Sequence, residues 1–192
     1  MKIQVNQKNK LFFTSDLHFF HRKILDYTNR KRLFSSVEEM NQGLVDIWNA
    51  KVSKNDTVIV AGDFSFGTKE ETQEIFSKLN GSLYLAFGNH DSLSKLSGCN
   101  FKVTADVLEF NYNGKSFFVS HFAHKVWNKS HHGTIHLYGH SHGSMEDDIN
   151  SRSMDVGVDC HENFAPFSFD EVIDHMKNKI WKPIDNHKRS TM

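Results

Sequence analysis

Residues 83–91 read Leu-Tyr-Leu-Ala-Phe-Gly-Asn-His-Asp. An uncharged run of strand length that stops at a glycine and three polar groups describes a buried strand ending in a polar turn. The same pattern recurs upstream. Thr57–Ala61 (TVIVA) is β-branched and continuously apolar, and Gly62-Asp63 follows it. Lys10–Ser15 (KLFFTS) runs into Asp16-Leu17-His18. Downstream, Val107–Tyr112 and Lys115–Ser120 flank Asn113-Gly114, the preferred pair for a type I′ hairpin turn, and His121 closes the second strand. Thr134–Tyr138 leads into Gly139-His140-Ser141-His142-Gly143, and Ser153–Val158 reads as one more strand.

Helices fall between the early strands. Ser35 with Glu38 and Ser36 with Glu39 form overlapping capping boxes. Val37, Met40, Leu44, Ile47 and Trp48 then recur at helical spacing, so a helix is expected to about residue 53. Thr68 with Glu71 caps a helix carrying Ile75, Phe76 and Leu79, and Ser168 with Glu171 caps a last one over Ser168–Lys179. A β-α-β-α-β half followed by mostly β and a closing helix is an α/β layered domain with a mixed sheet.

The length, 192 residues, suits one domain over 1–192. Lys+Arg and Asp+Glu are both 23, which disfavours a non-specific nucleic-acid coat or a membrane-surface binder. No apolar run approaches membrane-spanning length. Two cysteines, Cys99 and Cys160, make no disulfide framework and are expected as small buried residues. The N-terminal stretch lacks an apolar signal core, so a cytoplasmic setting is expected. Histidine is abundant: seven of the 13 lie between His121 and His142, which favours metal chemistry.

Singly, Asp-x-His, Gly-Asp and Asn-His-Asp are good turn compositions. Jointly they are five ligand-type clusters, each after a strand. Ligands gather at the carboxyl ends of strands in α/β sheets, so the five would converge on one metal site.

The series Asp16-x-His18, Gly62-Asp63, Gly88-Asn89-His90-Asp91, His121 and Gly139-His140-x-His142 resembles the calcineurin-like metallophosphoesterases. Asp16-Leu17-His18-Phe19-Phe20-His21, Asn29-Arg30, Gly62–Gly67 and Asp155–Pro166 look most like the small bacterial and phage-encoded branch. The resemblance implies a two-sheet mixed β-sandwich flanked by helices, with the site on top. It implies two divalent metals. Asp16, His18, Asp63 and His142 would hold the first; Asp63, Asn89, His121 and His140 would hold the second, with Asp63 bridging. His90 matches the catalytic histidine.

The reaction so implied is phosphoester hydrolysis by a metal-bridging hydroxide, with His90 as acid or transition-state stabiliser. Two divalent ions, two aspartates and one hydroxide leave a centre near +1, attractive to an anionic phosphate. The N/O ligand set without thiolate suits Mn first, then Fe, Zn, Co or Ni. Phe64-Ser65-Phe66-Gly67 stands where the family's protein phosphatases carry Asp-Arg-Gly, which disfavours a phosphoprotein substrate and removes their histidine-orienting aspartate. Asp91 is the replacement candidate. A phosphodiesterase acting on a nucleotide, cyclic nucleotide or nucleic-acid end is expected. A phosphomonoesterase or nucleotide pyrophosphatase is the second reading, and an inactive partner-binding scaffold the third. His21, Arg30, Arg32, His124 and Lys125 are candidate phosphate or leaving-group contacts. His131, His132 and His136 match no ligand position and are expected on the surface or the substrate side.

Overall fold

A computed structural model describes residues 1–185. Among the described residues, nine strands form two mixed sheets. In the first, β1 (Leu11–Thr14), β2 (Thr57–Val60), β3 (Ser82–Ala86) and β4 (Val103–Ala105) are parallel, and β9 (Phe167–Ser168) pairs antiparallel with β1. In the second, β5 (Val107–Tyr112) and β6 (Lys115–Ser120) form the antiparallel hairpin, while β7 (Ile135–Tyr138) and β8 (Ser153–Asp155) continue parallel to β6. Asn113 (φ 45°) and Gly114 (φ 73°) supply the two positive φ values that a type I′ turn requires.

The alternation of side chains along β1 divides the core. Phe12 joins Val58, Val60 and Trp48 in a layer between the first sheet and the helices α2 (Val37–Lys51) and α3 (Lys69–Lys78). Phe13 turns the other way and packs between the sheets, its ring 5.2 Å from Phe117 and 6.4 Å from Phe110. Both layers are apolar, which is why the β1 and β2 sequences show no polar alternation. The sandwich expected from the sequence is the fold observed. Two short helices, α1 (Ile24–Tyr27) and α4 (Leu93–Leu96), had no periodic signal.

The caps explain the helix starts. Thr68 and Ser168 both form reciprocal capping boxes, with Glu71 and Glu171. At α2 the box is only half made: Ser36 accepts from the Glu39 amide, but the Glu39 carboxylate binds Ser35 instead. The closing helix α5 (Phe169–Lys177) ends two residues before the expected Lys179. The last predicted strand is also shorter. It stops at Asp155, Gly157 makes a lone bridge to Ser15, and a 3₁₀ turn over Val158–Cys160 follows. Cys99 and Cys160 are half-buried rather than buried. No helix among the described residues is long and apolar enough to cross a membrane.

Glu171 also bonds Lys51, tying α5 to α2 (3.0 and 2.7 Å). Burial alone would raise its carboxyl, but the bonds from Lys51 and Ser168 win and hold it down to about 2. A depressed carboxyl stabilises the fold above its unfolded value near 4.5 and loses that effect as pH falls toward 2. Glu171→Gln should therefore flatten the drop in melting temperature between about pH 4.5 and 2 relative to wild type. Because the pair is partly exposed, the change at neutral pH should be about 1 kcal/mol.

Candidate metal centre

Every parallel strand of the first sheet's centre, and two of the second, point the same edge at one place. Asp16 and His18 follow β1, Asp63 follows β2, Asn89 and His90 follow β3, His121 follows β6, and His140 and His142 follow β7. Five of these residues have left-handed backbones: Asp16, His18, Asp63, His140 and His142, with φ between 48° and 68°. Such a conformation is uncommon for a side-chain-bearing residue and concentrates at functional sites. Here it turns the chain sharply enough to aim consecutive polar side chains into one cleft.

Two glycines make room. A Cβ on Gly88 would collide with the Asp63 carboxylate and amide, and one on Gly139 with the Ser15 hydroxyl and the Asp16 carboxylate. Only glycine lets these loops approach the two aspartates.

Asp63 is central. Its Oδ2 lies 3.4 Å from His121 Nε2, 3.5 Å from His18 Nε2 and 4.0 Å from His90 Nε2. Its Oδ1 accepts the main-chain N–H of His90 (2.9 Å). Asp16 Oδ1 lies 3.7 Å from His18 Nε2 and 3.9 Å from His142 Nε2. Asn89 Oδ1 sits between His121 Nε2 (2.9 Å) and His140 Nδ1 (3.1 Å). All seven sequence-predicted ligand residues and His90 are thus brought together.

The donor atoms fit a cation. Asp16 Oδ1 and His18 Nε2 are buried and have no hydrogen-bond partner among the described residues, a costly state that a bound cation would relieve. Asp16, His18 and His142 can bring one ligand atom each within 4.8 Å of one another, and so can Asp16, Asp63 and His121. Burial lowers the His18 imidazole, despite the opposing pull of Asp16 and Asp63. Burial opposes protonation of His121 too, but the bond to Asp63 raises it, and the same bond helps hold Asp63 ionised.

Rear contacts orient the rings. His121 donates Nδ1–H to the Ala61 carbonyl (2.8 Å), which leaves Nε2 free for the centre. His142 Nδ1 bonds Asp159 (2.7 Å), and Asp159 receives a two-pronged contact from Arg30 (2.9 and 2.8 Å). Burial pushes the Asp159 carboxyl up, but Arg30 and His142 hold it well below the usual carboxylate range. Asp159 lies within the Asp155–Pro166 stretch, but nothing there singles it out, and Arg30 is 129 residues away.

That clamp corrects one expectation. Arg30 is fully buried and donates to the Asp16 and Leu17 carbonyls as well, so it braces the ligand turn and cannot reach a phosphate. Arg32 donates to the Glu162 carbonyl and lies over the Phe164 ring, away from the cleft. His124 and Lys125 line a different cavity, of about 390 Å³, on the outer face of the second sheet with Trp127 and Tyr138. Of the substrate-contact candidates, only His21 lines the metal cleft. His136, expected on the surface or the substrate side, is fully buried; it bonds the Phe118 carbonyl and the His124 amide, and burial lowers it to about 4. His131 pairs with Asp185.

Asp91 also departs from expectation. Its carboxylate accepts the amides of Asp63 (2.8 Å), Phe64 (3.0 Å) and Gly88 (2.9 Å) and does not touch the His90 ring. It pins the Asp63 and Asn89 loops together. The His90 ring packs on Phe66 instead, centroids 4.5 Å apart.

The sequence profile of the calcineurin-like phosphoesterases matches residues 10–173. The chain belongs to the calcineurin-like phosphoesterase family. It is a metal-dependent phosphoester hydrolase. An uncharacterised protein of Methanocaldococcus jannaschii is 32% identical over 184 residues, covering 92% of this chain and 97% of that protein. The Gene 66 protein of Mycobacterium phage L5 is 30% identical over 195 residues, covering 85% of this chain and 92% of its own. A crystal structure of a protein of unknown function from Aquifex aeolicus shares the fold, with a TM-score of 0.69 at 22% identity, covering 87% of this chain and 99% of that one.

The Arg30–Asp159–His142 chain yields a two-part prediction. Asp159→Asn should weaken Mn²⁺ affinity about 10–100-fold, the usual cost of losing an orienting carboxylate. Arg30→Met leaves Asp159 a buried charge without its counterion and should cost about 3–5 kcal/mol of stability. Titration with Mn²⁺ and urea unfolding of the metal-free proteins measure the two effects separately.

Proposed function

We propose that this phosphoesterase is a phosphodiesterase with a two-metal centre, acting on a nucleotide, cyclic nucleotide or nucleic-acid end. The observation that carries the diester reading is the charge of the cleft. It measures about 550 Å³, and none of its eleven lining residues is Lys or Arg. A monoester is largely a dianion at neutral pH, since its second pKa is about 6. A diester is a monoanion, and a cleft without a side-chain cation beyond the metals suits it better.

Asp16, His18, Asp63 and His142 would hold one ion, and Asp63, Asn89, His121 and His140 the other. When bound, the ions supply charge stabilisation for the phosphoryl group and lower the pKa of water. The chain's own residues do the rest. Asp63 presents Oδ2 to both halves of the centre while the His90 amide and Asp91 fix its loop. His90, with 45% of its side chain exposed, faces the cleft and would give its proton to the leaving oxygen. Asn89 contributes a neutral oxygen, which keeps the centre positive.

Hydrolysis of bis-p-nitrophenyl phosphate against p-nitrophenyl phosphate, in Mn²⁺, tests the reading. The diester should be the better substrate by kcat/KM. Preference for the monoester would favour the phosphomonoesterase reading, and inactivity on both would favour a scaffold.

A further inference from the structure

We infer that Tyr27, with His21 and Phe66 behind it, forms a stacking subsite for a flat aromatic group on the substrate, a nucleobase by its chemistry. This rests on the phosphodiesterase reading and narrows its substrate class. The three rings form one continuous wall of the metal cleft. Phe66 and His21 lie face to face, with centroids 4.0 Å apart and planes within 8°. Tyr27 stands at 66° to His21, centroids 6.4 Å apart. It is 69% exposed, an unusual position for a large ring on a short helix whose Ile24 and Leu25 are buried.

The wall begins at the reacting centre. His18 lies 5.0 Å from Phe66 and 5.3 Å from His21, ring to ring. A phosphoryl group held at the metals would therefore place its ester substituent against His21 and Tyr27. Ile24 and Thr28 complete this side of the cleft, which carries no charged group. The Lys95 ammonium lies 5.4 Å from the Phe66 centroid and donates to the His90 carbonyl (3.5 Å), but it does not line the cleft. An apolar, ring-lined, uncharged wall beside an anion site matches a neutral base joined to a phosphodiester. Base stacking on an aromatic ring tolerates any base, so the subsite selects nucleosides as a class.

Two esters with the same leaving group isolate the effect: thymidine 5′-(p-nitrophenyl phosphate) and methyl p-nitrophenyl phosphate, with the Mn²⁺-loaded full chain. Wild type should favour the thymidine ester about 5- to 100-fold in kcat/KM, the range one stacked base gives. Tyr27→Ala should abolish most of that preference through KM, lowering the thymidine ester far more than the methyl ester. Tyr27→Phe should retain it. A second readout is independent of turnover. In the Zn²⁺-loaded protein, the ring resonance of Tyr27, assigned by its loss in Tyr27→Phe, should move upfield on adding thymidine 5′-monophosphate. Equal rates for the two esters, a preference that survives in Tyr27→Ala, or an unmoved ring resonance would overturn the subsite and leave the diesterase intact. Hydrolysis of neither ester would instead defeat the diesterase reading, and the ring shift would still decide the subsite.

Discussion

Asp63→Asn should empty the whole metal centre rather than half of it. Asp63 Oδ2 is within 3.5 Å of Nε2 on both His18 and His121, which belong to the two proposed halves. Asp16 Oδ1 is farther from His18 Nε2, at 3.7 Å. Asparagine is the informative replacement because position 63 has φ 54°, a left-handed conformation that asparagine tolerates and alanine resists. Its side-chain oxygen can still accept the His90 amide, so the 88–91 loop should stay in place. What is lost is the negative charge that two cations would share. Wild type equilibrated with Mn²⁺ and desalted should retain close to two equivalents, and Asp63→Asn less than one. Turnover should fall about 10³-fold or more, since the phosphoryl group loses several kcal/mol of charge stabilisation. Retention of both ions in Asp63→Asn would refute the bridging role, and a single equivalent in wild type would refute the second site.

The strand ends were legible because β1, β2 and β3 are covered on both faces: an apolar run that must stop at a charge shows where the sheet ends. The convergence of Asp16, Asp63, Asn89, His121 and His140 follows from those stops, whereas the two-sheet sandwich was implied by the resemblance to the calcineurin-like family. The bracing of the centre was not legible. Arg30 belongs to the Asn29-Arg30 motif and reads as a phosphate contact, and Asp159 lies within the Asp155–Pro166 stretch, but neither reveals that the two pair in the interior. Near neighbours leave periodic traces, whereas a single long-range ion pair leaves none. His136 was misjudged for a related reason. Ile135 and Leu137 face the core, so His136 belongs to the outer face of the second sheet, but the segment carrying His124 and Trp127 covers that face. Alternation tells which side a residue takes; it does not tell what lies over that side. The left-handed turns at five site residues were equally silent, because aspartate and histidine adopt such a backbone too seldom to announce it in sequence.

His90→Ala should behave differently from the loss of Asp63, and the geometry says why. The hydrogen bond His90 makes with Asp63 is through its main-chain amide (2.9 Å), which alanine keeps; the ring Nε2 stands farther off, 4.0 Å from Asp63 Oδ2. The 88–91 loop is held by the Asp91 carboxylate on three backbone amides, none of which involves the imidazole. Both ions and substrate affinity should therefore persist in His90→Ala while turnover falls about 10²–10⁴-fold, the usual contribution of a positioned general acid. The ring Nε2 stands 4.0 Å from Asp63 Oδ2, and Phe66 packs on the ring with centroids 4.5 Å apart. Two diesters that differ in leaving-group pKa separate the possible roles. If His90 protonates the leaving oxygen, the loss should shrink for p-nitrophenolate, which departs without a proton, and grow for an alkoxide. If it stabilises charge on the transferring phosphoryl group, the loss should be equal for both. Phe66→Leu, which keeps an apolar contact but loosens the ring, should give a smaller drop with the same leaving-group trend as His90→Ala. Full activity of His90→Ala on both diesters would remove the imidazole from the mechanism and leave its loop with a structural role only.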